Sequence, residues 1–95
     1  MRNYEILIIL PPESDEQVVS RVVERITQTV SEGGGKVERI DRWGRKRLAF
    51  EIGHQQEGYY LLVDVTAEPA AVKEVDRVLS LADEVLRFKT VVKAA

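Results

Sequence analysis

Residues 41–50 read Asp-Arg-Trp-Gly-Arg-Lys-Arg-Leu-Ala-Phe. Arg42, Arg45, Lys46 and Arg47 crowd beside Trp43, the only tryptophan, before the run turns apolar. The chemistry such a run offers is electrostatic. Guanidinium groups fork onto phosphate oxygens, and cations that neutralise phosphates release counterions. Trp43 either stacks on a base or anchors a protruding hairpin. Further cations stand at Arg2, Arg87, Lys89 and Lys93. Taken singly, each reads as a charged edge that discourages aggregation. The cluster taken together points to RNA.

Bond-making chemistry finds little support. The lone histidine, His54, falls in a polar loop, and with no cysteine present it has no companion for a metal. A serine nucleophile needs a base, and His54 is the only ordinary one. The acid pairs Glu13/Asp15 and Asp83/Glu84 sit at helix or strand boundaries, where capping explains them. Gly33-Gly34-Gly35 lacks the following Lys-Ser or Lys-Thr of a phosphate loop. An acylphosphatase-like site needs an arginine-bearing loop after the first strand, and Pro11-Pro12-Glu13 does not provide one. We expect no catalytic residue, metal, cofactor or small-molecule substrate.

The chain has 95 residues and a formal net charge of -2. That length predicts one domain over residues 1–95. No apolar run reaches membrane-spanning length, and Glu5 interrupts any leader-like start, so a cytosolic protein is expected. The small negative charge hides an uneven distribution. Acids gather at Glu13, Asp15, Glu16, Glu24 and Glu32, and again from Glu68 to Glu84.

The elements that must carry these residues follow from periodicity. Tyr4–Leu10 is apolar on both faces and ends at Pro11-Pro12, so it reads as a strand. Ser14, with Gln17 three residues on, predicts a capped helix start. Val18, Val22, Ile26 and Val30, flanked by Val19 and Val23, then form one helical stripe to about Glu32. Glycine stops that helix. Lys36–Ile52 reads as a long strand with a bulge at Gly44. Residues 53–58 form a polar loop, and Tyr59–Thr66 is the next strand. Pro69 opens a second helix, whose stripe is Ala71, Val72, Val75, Val78, Leu79 and Ala82. Val85–Val92 closes the chain as a strand.

The order is β-α-β-β-α-β. Right-handed crossovers put both helices on one face of an antiparallel sheet, the ferredoxin-like α+β arrangement. The other face is then bare. With Tyr59, Leu61, Val63 and Val65 under the helices, it shows Tyr60, Leu62 and Asp64. The first strand adds either Asn3, Glu5, Leu7 and Ile9 or the set Tyr4, Ile6, Ile8 and Leu10. An apolar sheet face rimmed by charge marks a partner site; a second copy of the chain or a few tolerated exposed side chains are the alternatives. Arg2, Arg87 and Lys89 are expected to lie together as a basic margin. RNA-recognition motifs share this topology, but they need aromatics two apart on the third strand. Leu62 stands where the second should be, which argues against base stacking across the sheet.

Several of these segments together resemble the S-six family of small-subunit ribosomal proteins of bacteria. They are Met1-Arg2-Asn3-Tyr4-Glu5, Gly34-Gly35 with Val37, Trp43-Gly44-Arg45-Lys46-Arg47-Leu48-Ala49-Phe50-Glu51-Ile52, Glu57-Gly58-Tyr59-Tyr60 and Val85-Leu86-Arg87-Phe88. Two positions depart from the family pattern. Phe50 stands where a tyrosine is usual, and Gly53 where a basic residue is common; His54 takes over that contact or the contact is absent. The resemblance implies a ferredoxin-like ribosomal protein of the cytoplasm, not an enzyme and not a membrane protein. It implies binding to ribosomal RNA in the platform of the small subunit's central domain, as a heterodimer with the S-eighteen ribosomal protein. On that reading Asn3, Glu5, Leu7, Ile9, Tyr60 and Leu62 meet the partner. Arg2, Arg87, Lys89 and Lys93 meet phosphates, and Arg45, Lys46 and Arg47 add charge or hold the partner. The rival from another class is a regulatory ligand-binding or self-associating domain, which requires a concave pocket between subunits.

Overall fold

The computed structural model describes residues 1–52 and 55–93, with the backbone alone for 49–52 and 55. Gly53, His54 and the side chain of Phe50 therefore lie outside the described residues. The elements are β1 (Arg2–Leu10), α1 (Glu16–Glu32), β2 (Lys36–Ile52), β3 (Gln55–Ala67), α2 (Pro69–Leu81) and β4 (Arg87–Val92). They form one antiparallel sheet in the order β2-β3-β1-β4. The expected ferredoxin-like topology is the one observed.

Strand β1 has a neighbour on each side, so its alternation decides which side chains are buried. Tyr4, Ile6, Ile8 and Leu10 turn toward the helices and are buried. They meet Leu61, Val63 and Val65 of β3, and Val19, Val22, Ile26 and Val30 of α1. Ala71, Val72, Val75 and Leu79 of α2 close the same core. The helical stripe of α1 is thus centred on Val19, Val22, Ile26 and Val30, with Val18 and Val23 at its margins.

The start of α1 differs from expectation. Its N-cap is Asp15, not Ser14: the Asp15 carboxylate accepts from the Val18 N–H at 3.0 Å. Ser14 is already committed. Its N–H and hydroxyl both donate to the Pro11 carbonyl, at 3.0 and 2.6 Å, closing the turn that follows the paired prolines. At the other end, Gly34 takes φ +82°, a left-handed conformation that a side chain disfavours. Gly35 serves a different need, since a Cβ there would stand 2.3 Å from the Thr66 carbonyl oxygen.

The third strand begins earlier than its apolar pattern suggests. β3 starts at Gln55, because Gln55 pairs with Ile52 and Glu57 with Arg47, so the polar residues extend a hairpin. The last strand begins at Arg87 instead of Val85; the preceding turn is fixed by the Val85 N–H donating to the Ala82 carbonyl at 3.1 Å. Replacing Asp15 with Ala should cost about 1 kcal/mol, the usual value of an N-cap, whereas Ser14→Ala should cost less. Thermal unfolding of the two variants checks the assignment, and a larger loss for Ser14→Ala would contradict it.

Candidate nucleic-acid and protein interface

The face away from the helices is assembled by register. In β1, Asn3, Glu5, Leu7 and Ile9 stand opposite Thr66, Asp64, Leu62 and Tyr60 of β3. On the other flank, Val91, Lys89 and Arg87 of β4 stand opposite Glu5, Leu7 and Ile9. Strand β2 contributes Arg39, Asp41 and Gly44 opposite Asp64, Leu62 and Tyr60. All six residues expected at a partner surface therefore share one face.

That face has two ends. At one, Leu7, Ile9 and Tyr60 line an apolar depression with Phe88, and Arg87 and Lys89 form its rim. Leu62 continues the apolar surface beside Leu7. Ile9 is nearly covered at 9% exposure, because Gly58 leaves room for it: a Cβ on Gly58 would lie 2.6 Å from Ile9 Cγ2. At the other end, Asn3, Glu38, Asp64, Thr66 and Lys93 make a polar hollow. Lys93 Nζ lies 3.3 Å from Asp64 Oδ2, and the Thr66 hydroxyl lies within 3.0 Å of both Asn3 Oδ1 and Glu38 Oε1. Asp64 Oδ1 is buried without a partner among the described residues.

The cations do not form the single margin expected. Arg2 pairs with Ala67, seven positions along β1 from Ile9, whose partner is Arg87. At about 3.3 Å of rise per residue this separates them by roughly 20 Å. Arg2 also has the parity of Tyr4 and Ile6, the helix side. Lys93 is held by Asp64. The basic run divides as well. Register puts Arg42, Arg45 and Arg47 on the helix side and Lys46 on the open face. Arg42 reaches Glu16 of α1 at 3.0 Å, and Arg45 forks onto Glu57 at 3.0 and 3.2 Å. Alternating directions along a strand make this division unavoidable for three consecutive residues.

Trp43, read from the sequence as a base stacker or a hairpin anchor, joins this candidate surface through a ring of β3. The register shifts between Arg42 and Gly44, and Gly44 adopts φ +78°, so a bulge occupies this point. Trp43 there stacks on Tyr60, with ring centroids 6.3 Å apart and planes 9° from parallel. Lys46 Nζ sits 4.9 Å from the centroid of the Trp43 ring. The indole stays 43% exposed, extending the apolar surface toward β2. The bulge residue itself was legible; the direction of the side chain beside it was not.

Acids outnumber cations at α1, where Glu13, Asp15, Glu16, Glu24 and Glu32 stand against Arg21 and Arg25, while α2 balances Glu74 and Asp76 with Lys73 and Arg77. The Glu74 carboxyl is held below its usual range by its hydrogen bonds from Arg77, which burial opposes only partly. Among the described residues no cluster of potential metal ligands is present, and no helix is long and apolar enough to cross a membrane. Because Lys93 is the counter-ion of a largely buried carboxylate, Lys93→Ala should lower stability by about 1 kcal/mol. For a chain of this size that is a fall of about 4–8 °C in unfolding temperature. Lys89→Ala, on the rim, should leave that temperature unchanged; equal losses would remove the distinction.

Comparison with known proteins bears on what this face does. A family model described as Ribosomal protein S6 matches residues 3–92. The small ribosomal subunit protein bS6 of Streptomyces griseus is 51% identical over 89 residues, covering 94% of this chain and 93% of the relative. Its counterpart in Moorella thermoacetica is 42% identical over 88 residues, covering 93% and 90%. Among solved structures, 30S ribosomal protein S6 of Thermotoga maritima superposes with a TM-score of 0.86 at 26% identity, covering 97% of this chain and 87% of that one. A protein of Arabidopsis thaliana, 14% identical with a TM-score of 0.56, shares the fold alone.

Proposed function

The chain belongs to the ribosomal protein S6 family of the small ribosomal subunit, and from that membership we propose a division of labour on its open sheet face. The apolar end takes a second ribosomal protein, of the S-eighteen family. The cations beside it neutralise phosphates of small-subunit ribosomal RNA in the central domain. The assembled pair, not either protein singly, is the binding unit.

One observation carries this reading: Leu7, Ile9, Tyr60 and Leu62 share a bare face with Arg87 and Lys89 at its rim. Apolar surface of this kind gains from being covered. Phosphate contacts add an electrostatic term that falls as salt rises. An A-form helix offers side chains little sequence information in its deep groove, so shape and backbone supply the selectivity. Asn3 and Glu5, further along the same face, are polar contacts for the partner. Arg2 is a weaker candidate for phosphate than Arg87 and Lys89, since it sits at the far end of β1, and Lys93 is a weaker one than Lys89, since Lys93 already has a carboxylate.

The test is binding to a central-domain fragment of small-subunit ribosomal RNA, with and without the S-eighteen protein, across a salt series. Tight, salt-sensitive binding only when both proteins are present is expected. Binding by this chain alone would remove the need for a partner, and no binding in either case would overturn the reading. Arg87→Ala and Lys89→Ala should each lower the salt slope by about one unit. Leu62→Asp should weaken association with the partner by more than about tenfold, as loss of a central apolar contact does, with the unfolding temperature little changed. Isothermal titration with the S-eighteen protein measures it.

A further inference from the structure

We infer that Lys46 is the one cation of the Arg45-Lys46-Arg47 run that contacts RNA phosphate, and that Trp43 is its positioning residue. This rests on the reading above and names residues within it. Three consecutive cations on a strand cannot serve one face. Arg45 and Arg47 turn toward the helix side, and Arg45 is neutralised by both oxygens of Glu57. Lys46 turns the other way, opposite Gly58, the residue whose missing Cβ accommodates Ile9. Since Ile9 stands opposite Arg87, Lys46 and Arg87 flank the same end of the apolar surface from its two sides.

The charge around this end favours an anion. Asp41, on the same face, is bound by Arg39 at 2.9 Å. Glu57 is occupied by Arg45. Among the described residues Lys46 has no ion-pair partner; its recorded contact is the Trp43 ring. A lysine on a flexible stem ordinarily samples many directions, and ordering it costs conformational entropy on binding. Here the indole face attracts the ammonium, and the stack on Tyr60 fixes the indole. The bulge at Gly44 sets where the indole stands. The cation is therefore held over the open face before any ligand arrives. An ammonium leaning on one ring still has protons to donate to a phosphate oxygen.

The experiment uses the full chain with the S-eighteen protein and the central-domain RNA fragment in a salt series. Lys46→Gln should weaken RNA binding several-fold and lower the salt slope by about one unit. Arg45→Gln and Arg47→Gln should leave the slope unchanged. Trp43→Leu keeps an apolar side chain but removes the π face, and should weaken RNA binding. Added to Lys46→Gln it should cause little further loss of RNA binding, because both act on one contact. Trp43→Tyr should recover part of the affinity. Thermal unfolding of each variant shows that the fold is kept, as expected for exposed side chains.

An unchanged slope for Lys46→Gln, or equal slopes lost with Arg45→Gln, overturns the assignment while the proposed function stands. So does a Lys46→Gln variant that loses the S-eighteen protein but keeps the RNA slope, which would make Lys46 a protein contact. Independent, additive losses from Trp43→Leu and Lys46→Gln overturn the positioning role. If the unsubstituted pair fails to bind the fragment, the underlying reading falls and this assignment falls with it.

Discussion

Strand β1 is paired on both edges and packed on one face, so its register has no freedom. Tyr4, Ile6, Ile8 and Leu10 are the floor of the core. A slip by one residue would exchange them for Asn3, Glu5, Leu7 and Ile9, placing an amide and a carboxylate under the helices. That exchange is what locks the two faces of the sheet into separate tasks. The helices hold one set, and the other set is left for whatever the molecule meets. Burial of the inward set thus orders the outward one, although none of the outward residues contributes much to the core.

Strand β2 obeys the same alternation with one interruption. Before the bulge, Arg42 is turned toward α1 and bridges to Glu16. After it, Lys46 lies above the open face and Arg45 lies beneath. A run that looks like one patch of positive charge in the sequence is thereby split between two surfaces. Part of it ties secondary structure together through carboxylates, and part remains available. The local density of basic residues overstates the charge that any one ligand would feel.

Much of this fold was legible from periodicity. The element order, the stripe on each helix and the bulge at Gly44 follow from spacing alone. The first strand was ambiguous, because both of its alternating sets are apolar enough to bury; only pairing with β3 decides between them. Ser14 looked like the cap because a serine followed by glutamine fits a capping box, but the turn after Pro11-Pro12 uses its hydrogen bonds first. Of the candidate surface, the face on which each strand residue lies was legible, and the distances between strands were not. Tyr60, Leu62, Arg87 and Lys89 fall where alternation puts them. Arg2 did not join them, since proximity in a sheet depends on register, which spacing within a single strand cannot reveal. Trp43 was read as a base stacker or hairpin anchor without being assigned to a face, for a related reason, as parity is lost at a bulge.

Acids outnumber cations at and on α1, whereas Lys46, Arg87 and Lys89 gather at one end of the open face, so the charge is unevenly spread although its sum is small. A body with little net charge feels only a weak pull toward a polyanion, but a polarised one feels a torque. On the proposed function, such a distribution favours approach to a phosphate-lined surface by the end that holds Lys46, Arg87 and Lys89, within the reach of the Debye length, about 8 Å at physiological salt. On that reading, the acids that count against nucleic-acid binding in the composition act as a rudder. Their work on that reading is to disfavour the orientation that would turn α1 toward the phosphates.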